Sequence, residues 1–185
     1  MRLLKNKKGL SVVVTTLIIL VVSVLLATVV TFYAINVTST RVQEEDLTMQ
    51  KAHIWYDADN SVAIGAFVLV NTGGRDVVID KITVRGQEVS WSNVYYNVST
   101  RTPTSDLTIN TTALASGVSL HSESGQYYNA STTSSDITLK SSYTMVVYMV
   151  NPDSVDLNDV GTTVSITVYT MNAEYYKECN VQAAS

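Results

Sequence analysis

The chain has 185 residues, a mean hydropathy of +0.16 and a formal net charge of -4 from 12 basic and 16 acidic residues. This length suffices for one domain of ordinary size. The acidic balance argues against a nucleic-acid-binding protein, because contacts to phosphates need clustered Lys and Arg. With one Cys and two His, the sequence offers no internal disulfide and few candidates for a His-based metal or catalytic site.

The amino-terminal segment is first basic and then uncharged over a long stretch. Arg2, Lys5, Lys7 and Lys8 precede a run, residues 10–35, that contains no charge, no Gly and no Pro. Its 26 residues include 16 Leu, Ile or Val, which is enough for a helix to span a bilayer. The positive charges in front of the run predict that the amino terminus lies in the cytoplasm and the rest of the chain outside.

Three interpretations of this segment are open. A cleaved secretory signal is disfavoured, because its apolar region is roughly 7–15 residues long and because neither Ala27 nor Ala34 has a small residue two positions earlier. A permanent single-span anchor fits the length and the charge. The third interpretation depends on the sequence KKGL at residues 7–10, where the apolar run begins directly after a glycine.

This junction resembles the amino terminus of archaeal type IV pilin-like proteins, the superfamily of adhesion pilins and archaellins. The resemblance implies a class III signal peptide, in which a prepilin peptidase recognises Lys7, Lys8 and Gly9 and cleaves before Leu10. The mature chain would keep its apolar helix. Val14 stands at the fifth mature position, where bacterial pilins usually carry Glu, and this departure weakens a bacterial assignment more than an archaeal one.

The same resemblance implies how the chain is assembled. The precursor would lie in the cytoplasmic membrane, and the mature helix would pack with identical helices in the core of an extracellular filament. Its partners would be a prepilin peptidase, a cytoplasmic assembly ATPase and a polytopic membrane platform protein. The residues predicted to lie in the filament core are Val14, Leu17, Val21, Leu25 and Val29.

A helix is predicted from Leu10 to about Gln50, because no Gly or Pro lies between Gly9 and Gly65. At 1.5 Å per residue this rod is about 60 Å long, roughly twice the hydrocarbon thickness of a bilayer. Exposing its large aliphatic side chains to water would cost on the order of 30 kcal/mol, so the segment must lie in lipid or in a protein core. Acyl chains and Leu side chains are similarly apolar, so packing contacts decide between the two.

Residues 51–185 predict an antiparallel β-sandwich of immunoglobulin-like size, which makes the fold class α+β. Val62–Val70 is apolar on both faces, as in a strand between two layers. The sequence NTGG that follows it predicts a hairpin with Val77–Arg85. Ser142–Val150 is a further buried strand, and the alternation in Thr163–Met171 predicts one buried and one wetter face.

The stretch 97–135 is rich in Ser and Thr and is predicted to be an exposed insertion or a set of weak edge strands. Sequons for N-glycosylation occur at Asn36, Asn97, Asn110 and Asn129, all on the predicted outer side. Glycans on the last three would make the insertion a water-facing surface. A glycan on Asn36 would obstruct the packing of the helix.

No catalytic, cofactor-binding or metal-binding residue is predicted. The loop after Asp57 lacks the Gly and Glu of an EF-hand, and for the acidic residues of 151–159 turn formation is a simpler explanation than the alternative, ion binding. His53 is predicted to be a structural or surface residue, and His121 to be solvated. Cys179 is predicted to be buried as a small apolar residue, with a disulfide between subunits as the alternative.

These observations together predict a structural subunit, a pilin, of an archaeal extracellular filament that serves adhesion, and no enzyme. The Ser/Thr-rich, sequon-bearing insertion favours an adhesion pilus over an archaellin of a motility filament. A third possibility is a single-span surface protein that binds a partner through its sandwich and does not polymerise.

Overall fold

The computed structural model describes residues 7–42, 44–109, 114, 116–123, 125–152 and 154–184. The chain forms two compact units, a helical one up to Val42 and a β domain from Gln43 onward. The fold class is α+β, as the sequence predicts. In the described residues the elements are α1 (Lys7–Val42), β1 (Leu47–Asp57), β2 (Val62–Asn71), β3 (Val77–Val84), β4 (Gln87–Glu88), β5 (Val94–Ser99), β6 (Ser119–Glu123), β7 (Gln126–Asn129), β8 (Ser131–Thr132), β9 (Ile137–Leu139), β10 (Thr144–Val150), β11 (Thr163–Thr170) and β12 (Glu174–Ala183), with short 3-10 helices at Trp91–Asn93 and Leu157–Asp159.

The helix ends earlier than predicted. α1 stops at Val42, and the residues around the predicted end at Gln50 belong to strand β1, so that prediction is wrong. Leu47 and Met49 are buried while Gln50 is exposed, which is the period of a strand that covers a core. The lack of Gly and Pro permits a helix in this region, but pairing of β1 with β2 stabilises the extended chain instead.

Most strands join one long sheet in the order β4-β3-β11-β12-β1-β2-β10-β5-β8, with β9 also paired to β3. The pairings are antiparallel except that of β1 with β12, which is parallel. The sheet is curled, because side chains from both of its halves meet in one main core. Examples are Ile54 of β1, Phe67 of β2, Ile79 of β3 and Ile166 of β11, all with no exposed surface.

The strands β2 and β10 are buried on both faces, as the sequence predicts. Phe67 and Met145 face the main core, while Val68 and Val146 face a second core on the other side of the sheet. The alternation predicted for Thr163–Met171 is also confirmed, since Val164, Ile166 and Val168 of β11 are buried and their neighbours are more exposed.

The predicted hairpin between Val62–Val70 and Val77–Arg85 is wrong. Strand β2 pairs with β1 and β10, whereas β3 pairs with β11, β9 and β4. The chain after β2 therefore crosses from one half of the curled sheet to the other instead of turning back. Residues with strong turn preference predict a change of direction, but they do not determine which strand becomes the partner.

The turn after β2 holds the first residues of the β domain in place. The backbone amides of Thr72 and Gly73 both donate to the carbonyl of Asp46 at 3.0 Å, and the amide of Gly74 donates to the carbonyl of Glu44 at 3.3 Å. The hydroxyl of Thr72 also donates to the Asp46 carboxylate at 2.7 Å. A close backbone approach of this kind explains the glycine, because a Cβ at Gly73 would lie 2.6 Å from the Glu44 oxygen.

We expect Gly73→Ala to lower the free energy of unfolding by about 3 kcal/mol, since its Cβ would press on backbone atoms that cannot move aside. The matched control is Gly86→Ala, whose Cβ would meet no atom within 4 Å and whose φ of +81° alone would cost about 1 kcal/mol. Urea unfolding of the full chain in detergent micelles, followed by Trp fluorescence, measures both. Equal losses in the two variants would contradict the close approach at Gly73.

A bulge in β1 changes which side chains face the main core. The register with β2 shifts between Gln50 and His53, and Lys51 in this interval has a φ of +50°. Before the bulge the odd-numbered side chains face the main core, and after it the even-numbered ones do, including Ile54. Trp55 therefore faces the second core on the opposite side of the sheet.

The Ser/Thr-rich stretch is more than an exposed insertion. Its strands β6 and β7 form a two-stranded hairpin outside the long sheet. The stretch supplies buried side chains to the second core, so it is not a wholly exposed insertion, whereas the short strand β8, paired with β5 at the end of the long sheet, fits the alternative of weak edge strands. The buried side chains are Leu107, Leu120, Tyr128 and Ala130.

Candidate functional site

The helix α1 presents apolar side chains on all sides over the part whose side chains the structure describes. All residues from Gly9 to Thr40 are exposed, and this segment reaches a mean hydropathy of 2.9, so it is long and apolar enough to cross a membrane. Its apolar side chains lie all around the axis, as in membrane-spanning helices. The residues predicted for a filament core are between 45% and 65% exposed, namely Val14, Leu17, Val21, Leu25 and Val29.

Six Ser and Thr hydroxyl groups of α1 are satisfied within the helix itself. Each of six Ser or Thr hydroxyls donates to a backbone carbonyl about one turn earlier, at 2.7–2.9 Å. An apolar environment therefore imposes no loss of hydrogen bonds on these groups. The donors and acceptors are Thr15 with Ser11, Thr16 with Val13, Ser23 with Ile19, Thr28 with Val24, Thr31 with Ala27, and Thr40 with Asn36.

Two shallow grooves follow the helix surface where small side chains lie next to larger ones. One has a volume of about 460 Å³ and the other of about 400 Å³. The small residues Ala27, Thr31, Ala34 and Thr38 contribute to their lining and recur at the spacing of one helix face.

The predicted peptidase recognition sequence lies at the start of α1. Lys7 and Lys8 are the first residues of the helix, and their side chains lie outside the part of the chain that the structure describes. Gly9 and Leu10 follow in the same helical turn and are exposed.

The sequons differ in the environment of their Asn side chains. Asn129 is exposed at the end of β7, whereas Asn97 is half-buried in β5 and its Nδ2 donates to the carbonyl of Asn129 at 2.7 Å. Asn36 is exposed on α1. Asn110 lies outside the described residues. Of the two sequons on the β domain that the structure describes, Asn129 has the more accessible amide.

A segment without helix or strand, residues 102–109, lies over the second core, and we call it the strap. Its Pro103 and Leu107 are buried, while most of its other residues are exposed. Side chains of strand β1 hold it from one side: Lys51 Nζ donates to the carbonyls of Pro103, at 2.7 Å, and of Ser105. His53 Nε2 lies 2.9 Å from the carboxylate of Asp106.

The hairpin of β6 and β7 holds the strap from the other side. His121 Nε2 lies 3.1 Å from the hydroxyl of Ser105. The Glu123 carboxylate accepts the amides of Thr104 and Ser105 at 2.8 and 3.0 Å, as well as the Thr104 hydroxyl. His121 is only 6% exposed, so the prediction of a solvated His121 is wrong. Nothing in the local sequence signals this burial, which depends on the strap folding over the hairpin.

These contacts shift the pKa values of the titratable groups involved. Burial lowers the pKa of His121, an effect that the negative charge of Glu123 opposes. The hydrogen bonds from Thr104 lower the pKa of Glu123. For Asp106, burial acts to raise the pKa, but the hydrogen bond and charge of His53 bring it below the ordinary value.

Other candidate chemistry is weak. Among the described residues, no group of three or more His, Cys, Asp or Glu is placed to hold a metal ion. Cys179 is half-buried, and burial raises the pKa of its thiol to about 11, so it is a poor nucleophile at neutral pH. An open depression near Trp91 has a volume of about 490 Å³, but Glu88 and the three serines that complete its lining are all exposed to solvent.

No protein-family model matches the chain, and its sequence matches no curated protein. Among solved structures, the chain is similar to the ligand-binding region of serine-glutamate repeat protein A of Enterococcus faecium, with 10% identity and a TM-score of 0.25. The match covers 77% of this chain and 99% of that chain. A similarity of this size carries no conclusion about function.

We expect glycosylation at Asn129 to exceed that at Asn97, because the Asn97 amide is half-buried and hydrogen-bonded. Mass spectrometry of glycopeptides from the native protein measures the occupancy of both sites. Asn129→Gln should remove the glycan from its peptide, while Asn97→Gln should leave the total glycan content almost unchanged. Higher occupancy at Asn97 than at Asn129 would contradict this ranking.

Proposed function

We propose that the chain is the structural subunit of an archaeal extracellular filament of the type IV pilus kind, and that it serves adhesion. The observation that carries this proposal is the exposed apolar surface of α1, which extends over the whole segment from Gly9 to Thr40. Water cannot solvate this surface at an acceptable free-energy cost. In the proposed filament, identical helices cover it, and the β domains form the outer layer.

The transfer of the helix from membrane to filament is energetically feasible. Lipid chains and aliphatic side chains are similarly apolar, so the change in hydrophobic free energy is small and close packing decides the balance. The grooves beside Ala27, Thr31 and Ala34 support such packing, since small side chains allow helix backbones to approach each other. A single anchor surrounded by lipid gains nothing from these grooves.

The processing and assembly steps follow from the same proposal. A prepilin peptidase removes the leader at Gly9, so that Leu10 becomes the first residue of the mature subunit. The predicted core residues then lie in the centre of the filament. They are Val14, Leu17, Val21, Leu25 and Val29. Before assembly the subunit stays in the membrane. An assembly ATPase and a membrane platform protein then move it into the filament.

We also propose that the curled β domain is a variant of the immunoglobulin-like sandwich. The main core supports this proposal, because it lies between the half of the sheet that contains β2 and β10 and the half that contains β3 and β11.

The alternative function, a membrane-anchored surface protein that binds a partner and does not polymerise, is favoured by one observation. The β domain has a complete core of its own and forms a separate unit.

Amino-terminal sequencing of material sheared from cells separates the two functions. We expect the sheared protein to begin at Leu10, because cleavage after Gly9 precedes assembly. Gly9→Phe should block processing and abolish filaments by placing a bulky side chain at the cleaved bond, and the control Gly9→Ala should keep both. Protein that retains the leader, stays in the membrane fraction and is missing from the sheared fraction would overturn the filament proposal and support the anchor.

A further inference from the structure

The chain has two histidines, and both contact neighbouring residues of the strap. Their surroundings differ. His53 is paired with the Asp106 carboxylate and stacks on Trp55 with ring centroids 5.1 Å apart. His121 is almost fully buried, and its nearest partners are the neutral Ser105 hydroxyl and the Tyr128 ring, whose centroid is 5.8 Å away.

The charged groups around His121 come from three elements. Lys51 of β1 disfavours a positive charge on the imidazole, while Glu123 of its own strand β6 and Asp106 of the strap favour one. Both carboxylates already have partners, since Glu123 accepts the strap amides and Asp106 is bound by His53. Neither acid is a hydrogen-bond partner of the His121 ring among the contacts that the structure describes, so a charge there lacks a direct counter-ion.

We propose that the strap is an acid-released cover, in which protonation of His121 favours detachment of residues 102–109 from the second core. In the closed state a charged imidazole would be buried beside Lys51, while in the open state it would be hydrated. Neutral His121 has no such penalty. The strap therefore stays closed while His121 is neutral.

The direction of the pH dependence follows from proton linkage. Burial keeps the pKa of His121 in the closed state below the ordinary value of 6.5, which the open state regains. The closed state is thus most stable above about pH 6.5, and the open state binds the extra proton as the pH falls. Because each opening event takes up one proton, the equilibrium constant for opening rises by up to about tenfold for each unit that the pH falls between about 6.5 and the pKa of the closed state.

The two carboxylates at the strap do not reverse this direction. Asp106 and Glu123 both have lowered pKa values, so they stay charged where His121 titrates. Detachment of the strap uncovers the side of the sheet on which Trp55 and Tyr148 lie. Acid thereby turns a polar surface of the β domain into one with accessible apolar side chains.

Hydrogen exchange of the full chain in micelles of a non-ionic detergent tests the proposal. Amides of residues 102–109 are followed from about pH 7.5 to about pH 5.5 in the wild type and in His121→Gln. At each pH the exchange rate of the wild type is divided by that of His121→Gln, and this ratio cancels the chemical effect of pH on exchange. We expect this ratio to rise severalfold over the range as the pH falls, because only the wild type can bind the extra proton.

The matched control is His53→Gln, which removes the contact to Asp106 from the opposite side of the strap. This variant should exchange faster than the wild type at all pH values and keep the steep pH dependence. A wild-type to His121→Gln ratio that stays constant with pH would overturn the proposal. So would a pH dependence that disappears in His53→Gln but persists in His121→Gln.

A second measurement avoids any variant that fails to fold. Histidine NMR of the wild-type chain follows the ring signals of His121 and the amide signals of the strap through the same pH range. We expect His121 to titrate below its ordinary pKa and the strap signals to change with the same midpoint. Strap signals that do not change while His121 titrates would overturn the proposal.

Discussion

The organisation of this protein depends on one apolar surface that water cannot cover. The segment from Gly9 to Thr40 is exposed throughout, and six of its hydroxyl groups are bound to carbonyls of the same helix. The run of residues 10–35 carries no charge, and five of its hydroxyl groups are already bound within the helix, so lipid or other helices must surround the segment. The proposed filament is one way to meet this requirement, and the small residues near Ala27 are suited to it.

The β domain solves a similar problem within a single chain. Strands β2 and β10 are apolar on both faces, so each face of this part of the sheet needs a cover. The curl of the sheet covers one face and creates the main core. The Ser/Thr-rich stretch covers the other face with few large side chains, among them Leu107 and Tyr128. Polar contacts supplement this small apolar area, which explains why Lys51 and Glu123 both bind the strap.

The bulge at Lys51 connects these two covers. The bulge switches which side chains of β1 point to each face of the sheet. As a result His53 and Trp55 lie on the side of the strap, and Ile54 lies in the main core. The strap thus depends on ionisable side chains rather than on a large apolar contact. A cover that is held in this way responds to protonation, whereas the main core, whose buried members are apolar, does not.

The sequence by itself determined the elements whose signals are local. The uncharged run predicts α1, the two-sided apolar pattern predicts β2 and β10, and the alternation predicts β11. Each of these depends on neighbours within a few residues, which the physics of periodicity captures. The α+β class follows from the same signals.

Only the tertiary structure decided the features that depend on residues far apart in the chain. The helix ends at Val42 because the following residues pair with β2, and the turn after β2 binds Asp46 instead of closing a hairpin. His121 is buried because the strap, which lies outside its own hairpin, folds over it. A local pattern states what a segment can form, but the free energy of contacts between distant segments selects its partner.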